Sequence, residues 1–465
     1  MTPGILVVRR RGPIQPAHQT LTNALATNLT QLTQELVGDG WKVIRHDAPR
    51  HDDATWSNNT NNIAVIKGWI TNDYNADPTN TKAIYIVGHV SIPFSGWLSP
   101  DGHPARPFPA DAYYGSIGET NWTDSTVNQQ TNGVSNIPGD GIFDQNSLPR
   151  NQFLGVGRID FSNMPAFNTT NAPGIPPKSE TDLLKQYLNK THSFRTKLSQ
   201  FRGRAIVNTP PPNYPYVQFL FDSAAIITSR LFGFDPIPAD VGDLFYSTNK
   251  SYLFGFEAGY GNPNVIGDGS GLHDHYSADL ADPSKEPMLA FYVLTGSFFG
   301  EWQQQDNLLR AAIATPTYGL EAMYGLNTTL FYERLGLGEP TAAGVTRTIT
   351  NQTTDVEITL LGDPTLRFQV TAPASGLVAT TNQSSVILNW TPSPEPGAQY
   401  SVYRSTNGLD GDFTKLSGPT ATFTFTDNSP PAGVKMYAVR AARLLTTGSG
   451  SFTNFSQSIL ATVNQ

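Results

Sequence analysis

Two apolar stretches restrict the fold of this 465-residue chain more than any other feature. Residues 83–87 read Ala-Ile-Tyr-Ile-Val, and residues 288–294 read Met-Leu-Ala-Phe-Tyr-Val-Leu. A strand with one face in water alternates apolar and polar residues, whereas a strand covered on both faces is continuously apolar. An amphipathic helical pattern at residues 63–70 precedes the first stretch. The sequence therefore predicts an α/β fold built on a doubly wound parallel sheet.

The α/β pattern occurs twice along the chain. An apolar strand at residues 5–8 and a helix at about 17–37 open the first occurrence. A helix at 179–190, which follows a proline-rich segment, opens the second. We therefore predict two α/β subdomains, residues 1–170 and residues 171–370.

Residues 371–465 have a different texture, with short alternating strands separated by turn residues. This spacing is typical of an antiparallel β-sandwich. Trp390, Tyr403, Asp427 and Tyr437 occupy positions similar to those of a fibronectin type III domain. The resemblance predicts an all-β sandwich that serves as a spacer or an adhesive unit.

The composition limits the partners of the protein. A net charge of -8 provides no basic field for nucleic acid, and no apolar stretch is long enough to insert into a membrane. Charged residues make up only 15% of the chain, a share typical of secreted and cell-surface proteins. We therefore expect an extracellular or cell-surface location, a signal or upstream domain before this numbering begins, and extracellular proteins or glycans as partners.

Several short motifs follow one another in a specific order. They are Tyr85-Ile-Val-Gly-His89, Ala110-Asp-Ala-Tyr-Tyr-Gly115, Gly139-Asp-Gly-Ile-Phe-Asp144, Gly155-Val-Gly-Arg-Ile159 and Leu361-Gly-Asp-Pro-Thr-Leu366. In this order they resemble the gingipain family of cysteine peptidases, although His89 stands where the family has Asp. The resemblance spans residues 1–370 and implies a caspase-like fold with a Cys-His peptidase site.

Neither catalytic residue of that family is retained. The place of the catalytic His matches Tyr260 in Gly259-Tyr-Gly261, and the place of the Cys matches Ser297, with Thr295 as a second match. The chain contains no cysteine at all. Because a phenol titrates near 10 in model compounds, it is a poor base for a serine hydroxyl at neutral pH. The resemblance therefore implies a degenerate site.

Two histidines after Tyr260 leave other chemistries open. His273 or His275 could act as the base for Ser297 in a serine-type hydrolase, an arrangement that depends on geometry in space. The same histidines, with Asp274 between them and Asp279 nearby, could instead hold a divalent metal, since alternating residues of an extended segment face the same side.

The long loop-rich segment at residues 91–152 contains a candidate calcium site. Asn136, Asp140 and Asp144 surround Gly-Asp-Gly with part of the spacing of a calcium loop, although Pro138 occupies a place that normally supplies a carboxylate. Calcium is the cofactor that this loop would hold. A structural Asp-Gly turn is the alternative.

Aromatic residues after Ser297 could line the former substrate cleft. Phe298, Phe299 and Trp302, with Glu301 among them and Tyr260 opposite, could bind a peptide or the face of a sugar. Aromatic residues of the core are the alternative.

These observations favour a secreted or cell-surface pseudopeptidase with a binding or structural role. Two alternatives remain open. One is a serine-type hydrolase that uses Ser297 with His273 or His275. The other is a self-associating subunit of a surface layer or filament.

Overall fold

The computed structural model describes most of the chain. The described residues are 4–11, 24–51, 60–99, 102–118, 122–127, 136–150, 153–169, 175–208, 215–233, 239–246, 249–267, 274–325 and 329–464. Every structural statement below concerns these residues.

The first 370 residues contain all of the described α-helices and sixteen described strands. The helices are α1 (Ala26–Gly38), α2 (Thr60–Ala76), α3 (Ala112–Gly115), α4 (Pro165–Asn168), α5 (Glu180–Arg195), α6 (Pro215–Phe232), α7 (Leu308–Ala314) and α8 (Thr341–Asn351). The strands are β1 (Gly4–Arg11), β2 (Lys42–Pro49), β3 (Thr81–Val87), β4 (Phe94–Leu98), β5 (Arg106–Pro109), β6 (Ile142–Phe143), β7 (Gly155–Ile159), β8 (Ala205–Val207), β9 (Ala239–Val241), β10 (Tyr252–Ala258), β11 (Tyr260–Asn262), β12 (Val265–Gly267), β13 (His275–Tyr276), β14 (Leu289–Thr295), β15 (Glu321–Tyr324) and β16 (Thr359–Gly362).

Ten of these strands form one sheet, in the order β2-β1-β3-β7-β16-β15-β14-β10-β8-β9. Strand β16 joins the two halves, because it pairs in parallel with β7 through Leu361 and Arg158, and antiparallel with β15. Every other neighbouring pair of this sheet in the described chain is parallel. The predicted α/β fold with a parallel-dominated sheet is therefore confirmed, and a single sheet crosses both predicted subdomains.

The two apolar stretches of the sequence occupy the middle of this sheet. In β3, six of the seven residues are buried, and all seven residues of β14 are buried. Helix α5 begins where the sequence predicted, because Ser179 caps it: its hydroxyl accepts the Asp182 N–H, and the Asp182 carboxylate accepts the Ser179 N–H. At its other end, buried Arg195 pairs with Asp39 and Asp363 and so ties α5 to the sheet.

Residues 91–152 contain more regular structure than the sequence predicted. Strands β4, β5 and β6 form a small sheet of their own. Arg158 of β7 holds this segment on the main sheet, since its Nε and Nη2 donate to the Asp111 carboxylate at 2.6 and 2.7 Å. Two of the sequence motifs, the one around Asp111 and the one around Arg158, therefore meet in space.

The last part of the chain is an antiparallel sandwich. Its strands are β17 (Ser375–Asn382), β18 (Ser385–Thr391), β19 (Gln399–Ser405), β20 (Thr414–Thr420), β21 (Thr424–Asp427), β22 (Val434–Thr447) and β23 (Gly450–Asn464). They form a three-stranded and a four-stranded sheet. Trp390, Tyr400 and Tyr437 are buried in its core, and the Tyr437 hydroxyl donates to Asp427 at 2.8 Å.

No helix in the described part of the chain is both long enough and apolar enough to cross a membrane.

Candidate functional site

Tyr260 and Ser297 follow the ends of two adjacent parallel strands. In the register of β10 with β14, Ala258 is paired with Thr295, and just beyond them the Gly259 N–H donates to the Thr295 carbonyl at 3.0 Å. Side chains after the carboxyl ends of parallel strands line the crevice where ligands bind in open α/β sheets. The structure therefore brings Tyr260 and Ser297 to the same edge of the sheet.

Glycines allow these two turns to approach each other closely. A Cβ added at Gly261 would lie 2.7 Å from the Phe299 ring, and a Cβ at Gly296 would lie 2.8 Å from the Gly259 carbonyl oxygen. Real Cβ atoms do not approach other heavy atoms at such distances. Phe299, which is fully buried, is therefore the centre around which both turns pack.

The predicted aromatic lining divides into a core part and a surface part. Phe299 and Trp302 have no exposed surface, so they support the cleft from inside. Phe298 is half-buried and has a φ of 67°, a left-handed conformation that is uncommon for a bulky residue. Tyr260 is 47% exposed. Among these residues, Phe298 and Tyr260 are the ones whose rings a ligand could contact.

Two residues that the sequence analysis missed hold Phe298 in place. The Arg106 guanidinium carbon lies 4.3 Å from the centre of the Phe298 ring, and the His103 ring centre lies 4.5 Å from it. Arg106 also forms a buried ion pair with Glu301, the acidic residue of the predicted lining. Both partners come from the loop-rich segment at residues 91–152, and its Gly-His-Pro-Ala-Arg sequence carried no pattern that pointed to Phe298.

His275 is engaged with an acidic pair beside the cleft. Its Nε2 lies 2.6 Å from Asp243 Oδ2, and its ring stacks on Phe245 at 4.9 Å. Burial lowers the pKa of His275, but the bond to Asp243 outweighs this effect, and the net shift is upward. Burial and the charge of Asp243 also raise the pKa of the neighbouring Glu257 carboxyl to about 8. The second candidate base, His273, lies outside the described residues.

Ser297 has no hydrogen-bonded base among the described residues. Its hydroxyl makes no hydrogen bond to His275 or to any other histidine in this part of the chain. The geometry that a serine nucleophile needs is a base within about 2.6–3.2 Å of the hydroxyl. Within the described chain, the arrangement therefore offers no activated serine.

His89 belongs to a buried network. Its Nδ1 lies 2.6 Å from Asp160 Oδ2 and 2.8 Å from the Ser162 hydroxyl, and Asp160 also lies 3.9 Å from both Arg158 and Arg310. In a catalytic triad the serine and the carboxylate contact opposite nitrogens of the imidazole. Here both contact Nδ1, so this Ser-His-Asp group is structural.

The candidate calcium residues lie in one loop, where both carboxylates accept hydrogen bonds from the protein. The two carboxyl oxygens of Asp140 accept the N–H groups of Ile137 and Ile142 at 2.9 Å. Those of Asp144 accept from Thr123, Ser125 and Thr126, which lowers its pKa despite the opposing effect of burial. The Asn136 amide donates to the Phe143 carbonyl at 3.2 Å.

The carboxylates of this loop therefore find their hydrogen-bond donors within the protein, as they would in a structural Asp-Gly turn. Within the described ranges, no three His, Cys, Asp or Glu side chains are grouped so that they could hold a metal ion. Calcium binding at Asn136, Asp140 and Asp144 stays a prediction.

Solved structures share this architecture over almost the whole chain. The crystal structure of gingipain R (RGPB), an Arg-specific cysteine proteinase, aligns with a TM-score of 0.53 and 11% identity over 98% of this chain and 98% of its own. A structure described as a protease aligns with a TM-score of 0.50 and 11% identity, covering 98% of this chain and 97% of its own. A fibronectin type III-like protein from Clostridium thermocellum aligns over 19% of this chain and 92% of its own, with 23% identity and a TM-score of 0.15. No protein-family model and no curated protein matches the sequence. At these identities the likeness establishes the fold, and this chain is similar in fold to a gingipain cysteine proteinase.

Proposed function

We propose that this protein is a secreted or cell-surface pseudopeptidase, whose cleft binds an extracellular protein or glycan without cleaving it. A gingipain-like fold supports the descent from a peptidase. The peptidase mechanism requires a thiolate and a neighbouring base. Ser297 and the exposed phenol of Tyr260 stand at the two matching strand ends instead.

The observation that carries the proposal is the isolation of the Ser297 hydroxyl from every described base. Of the two bases considered for a serine hydrolase, His275 directs Nε2 to Asp243 at 2.6 Å and stacks on Phe245. In a triad the serine would contact the opposite nitrogen, Nδ1, of a histidine paired in this way. Among the described residues, the Ser297 hydroxyl makes no hydrogen bond to His275, so Ser297 does not complete this His–Asp pair.

The surface of the cleft supports a binding role. Phe298 is held in a left-handed conformation between Arg106 and His103, so its ring is fixed before a ligand arrives. A rigid aromatic ring supplies contact area at a low cost in conformational entropy. Since Glu301 neutralises Arg106, the surface around the ring favours apolar faces of a ligand over a charged group.

A fluorophosphonate probe tests whether Ser297 lacks the reactivity of a catalytic nucleophile. We expect no covalent labelling of the protein between pH 5 and 9, because no described base activates Ser297. The Ser297→Ala variant is the matched control. Stoichiometric labelling that disappears in Ser297→Ala would overturn the proposal in favour of a serine-type hydrolase.

A peptide and glycan array tests the binding role. Any specific ligand should lose affinity by about tenfold in Phe298→Ala, the scale expected for one aromatic contact of about 1.4 kcal/mol. The Phe423→Ala variant is the control, because Phe423 is an exposed aromatic residue of the sandwich. Equal loss of affinity in both variants would contradict a ligand site at Phe298.

A further inference from the structure

A cavity of about 460 Å³ lies between the α/β part of the chain and the sandwich. The turn between α1 and β2 contributes Asp39, Gly40 and Trp41 to its wall, and the sandwich contributes Tyr403 and Arg440. Small-molecule sites in proteins usually measure about 300–1,000 Å³. The cavity is therefore large enough to hold a small organic molecule.

Arg440 borders this cavity with two unused nitrogens. Its Nε donates to the Ser456 carbonyl at 3.0 Å, and its guanidinium carbon lies 5.0 Å from the centre of the Phe455 ring. Within the described chain, Nη1 and Nη2 donate to no other group. Nη1 faces the backbone of Gly40, where an added Cβ would lie 3.1 Å from it. The terminal nitrogens Nη1 and Nη2 of Arg440 therefore offer a fork of N–H donors to a ligand in the cavity.

Arg440 forms no ion pair with a carboxylate among the described residues. Burial, and after it repulsion from Arg367, lowers the pKa of Arg440 to about 10. Asp39 acts in the opposite direction, but its carboxylate is already paired with Arg195 and Arg367. An anion next to Arg440 would therefore relieve an uncompensated positive charge.

Arg367, by contrast, already uses both of its terminal nitrogens. It donates to Asp39 at 3.2 Å, to the Asn454 amide oxygen at 3.0 Å and to the Phe455 carbonyl at 2.9 Å. The cavity thus offers a single free guanidinium fork, which matches the two oxygens of one carboxylate. A phosphate dianion would require more positive charge than this one fork supplies.

The rest of the wall combines polar and apolar groups. Lys42 and Asp412 also line it, and they pair with each other at 3.8 Å, so together they add no net charge. Trp41, Leu337, Phe413 and Phe452 line the cavity beside the arginine. Apolar and aromatic walls with a few placed polar groups are the usual composition of a small-molecule site. A ring attached to the carboxylate would replace water along these walls.

We propose that the interdomain cavity binds a small organic carboxylate that carries an apolar ring, with its carboxylate on the Arg440 fork and its ring against the aromatic wall. The site is separate from the cleft at Ser297. Because its two sides belong to the α/β part and to the sandwich, an occupied site fixes these two parts to each other.

Calorimetric titration of the full chain with N-acetylphenylalanine tests this inference, with N-acetylphenylalaninamide as the neutral match. We expect the acid to bind at least about tenfold more tightly than the amide, as a charge-assisted pair with one arginine requires. Sodium acetate and glucuronate provide the carboxylate without the apolar ring, and we expect both to bind at least about tenfold more weakly than N-acetylphenylalanine.

The Arg440→Gln variant should lose the preference for the acid over the amide. Arg45→Gln is the matched control, since Arg45 lies on β2 outside the cavity and pairs with Asp47 at 3.7 Å, and it should bind as the unchanged protein does. Melting temperatures show whether each variant is folded. The comparison of acid with amide in the unchanged protein does not depend on any variant. Equal affinity for acid and amide, no binding of either, or equal affinity for glucuronate and N-acetylphenylalanine would each overturn the proposal.

Discussion

The Gly259 N–H donates to the Thr295 carbonyl at 3.0 Å, directly beyond the last paired residues of β10 and β14. This bond joins the turn that carries Tyr260 to the turn that carries Ser297. The bond therefore holds the backbones of the two turns side by side at one edge of the sheet.

A single introduced thiol can measure whether the two positions face each other. Because the chain has no cysteine, Ser297→Cys would be the only thiol in the protein, and the pH dependence of its alkylation by iodoacetamide reports its pKa. We expect a pKa near the ordinary value of about 8.5 in Ser297→Cys. In the double variant Ser297→Cys with Tyr260→His, the pKa should fall by about one unit or more, because an adjacent imidazolium favours the thiolate. An unchanged pKa in the double variant would show that the side chains do not meet.

Phe299 and Phe298 are neighbours in sequence with opposite roles. Phe299→Ala should reduce the free energy of unfolding by about 3–5 kcal/mol, since it removes a fully buried ring on which both turns pack. Phe298→Ala removes a half-buried ring, so its cost should stay below about 2 kcal/mol. Urea denaturation of both variants measures the difference. Equal costs would mean that Phe298 is a core residue.

Sequence patterns predicted the sheet because burial on both faces leaves a continuous apolar stretch, as in β3 and β14. The family resemblance matched Tyr260 and Ser297 to two catalytic places, and their position at one edge of the sheet comes from the structure. The pairing of β16 between β7 and β15 could not be predicted, since it joins segments about two hundred residues apart in the chain. For the same reason the contact of Arg106 with Phe298 left no local pattern.

Arg440 shows a second limit on what can be predicted from the sequence. Arg440 lies in an otherwise apolar stretch of β22, Tyr437-Ala-Val-Arg-Ala-Ala442, and nothing in this stretch identifies a partner for it. Only the packing of the sandwich against the α1–β2 turn places it at a cavity beside Gly40. Burial of this kind depends on how two parts of the chain meet, and no periodicity within either part records it.

The buried carboxyl of Glu257 makes stability fall as pH rises. Its pKa is about 8 in the folded protein against 4.5 for the unfolded side chain, so the folded state holds an extra proton between these values. Stability is therefore lost as the pH rises from about 4.5 to 8. His275 also has a raised pKa, and it lowers the stability in the same direction. The stabilisation from its charged pairing with Asp243 is fully present below the unfolded-state pKa of 6.5, and it is lost as the pH rises through the folded-state pKa.

Glu257→Gln should flatten this dependence, because an amide cannot ionise and its oxygen can still accept the Leu244 N–H, as Glu257 does at 3.0 Å. At pH 8 we expect the variant to be more stable than the unchanged protein by about 1 kcal/mol or more. Urea denaturation at pH 5 and pH 8 measures the change. A variant that loses the same stability as the unchanged protein over this range would assign the pH dependence to other groups.

The buried pair of Arg158 and Asp111 should be far more sensitive to substitution than a surface pair. Arg158 is fully buried, with two bonds to Asp111 and a third from Nη1 to the Val90 carbonyl at 2.8 Å. Asp111→Asn leaves that guanidinium without its main counter-charge, and we expect a loss of about 3–5 kcal/mol in the free energy of unfolding. Asp47→Asn, the matched change in the exposed Arg45–Asp47 pair at 3.7 Å, should cost less than about 1 kcal/mol. If Asp111→Asn costs no more than Asp47→Asn, the segment around β4 to β6 is held on the main sheet by contacts other than this ion pair.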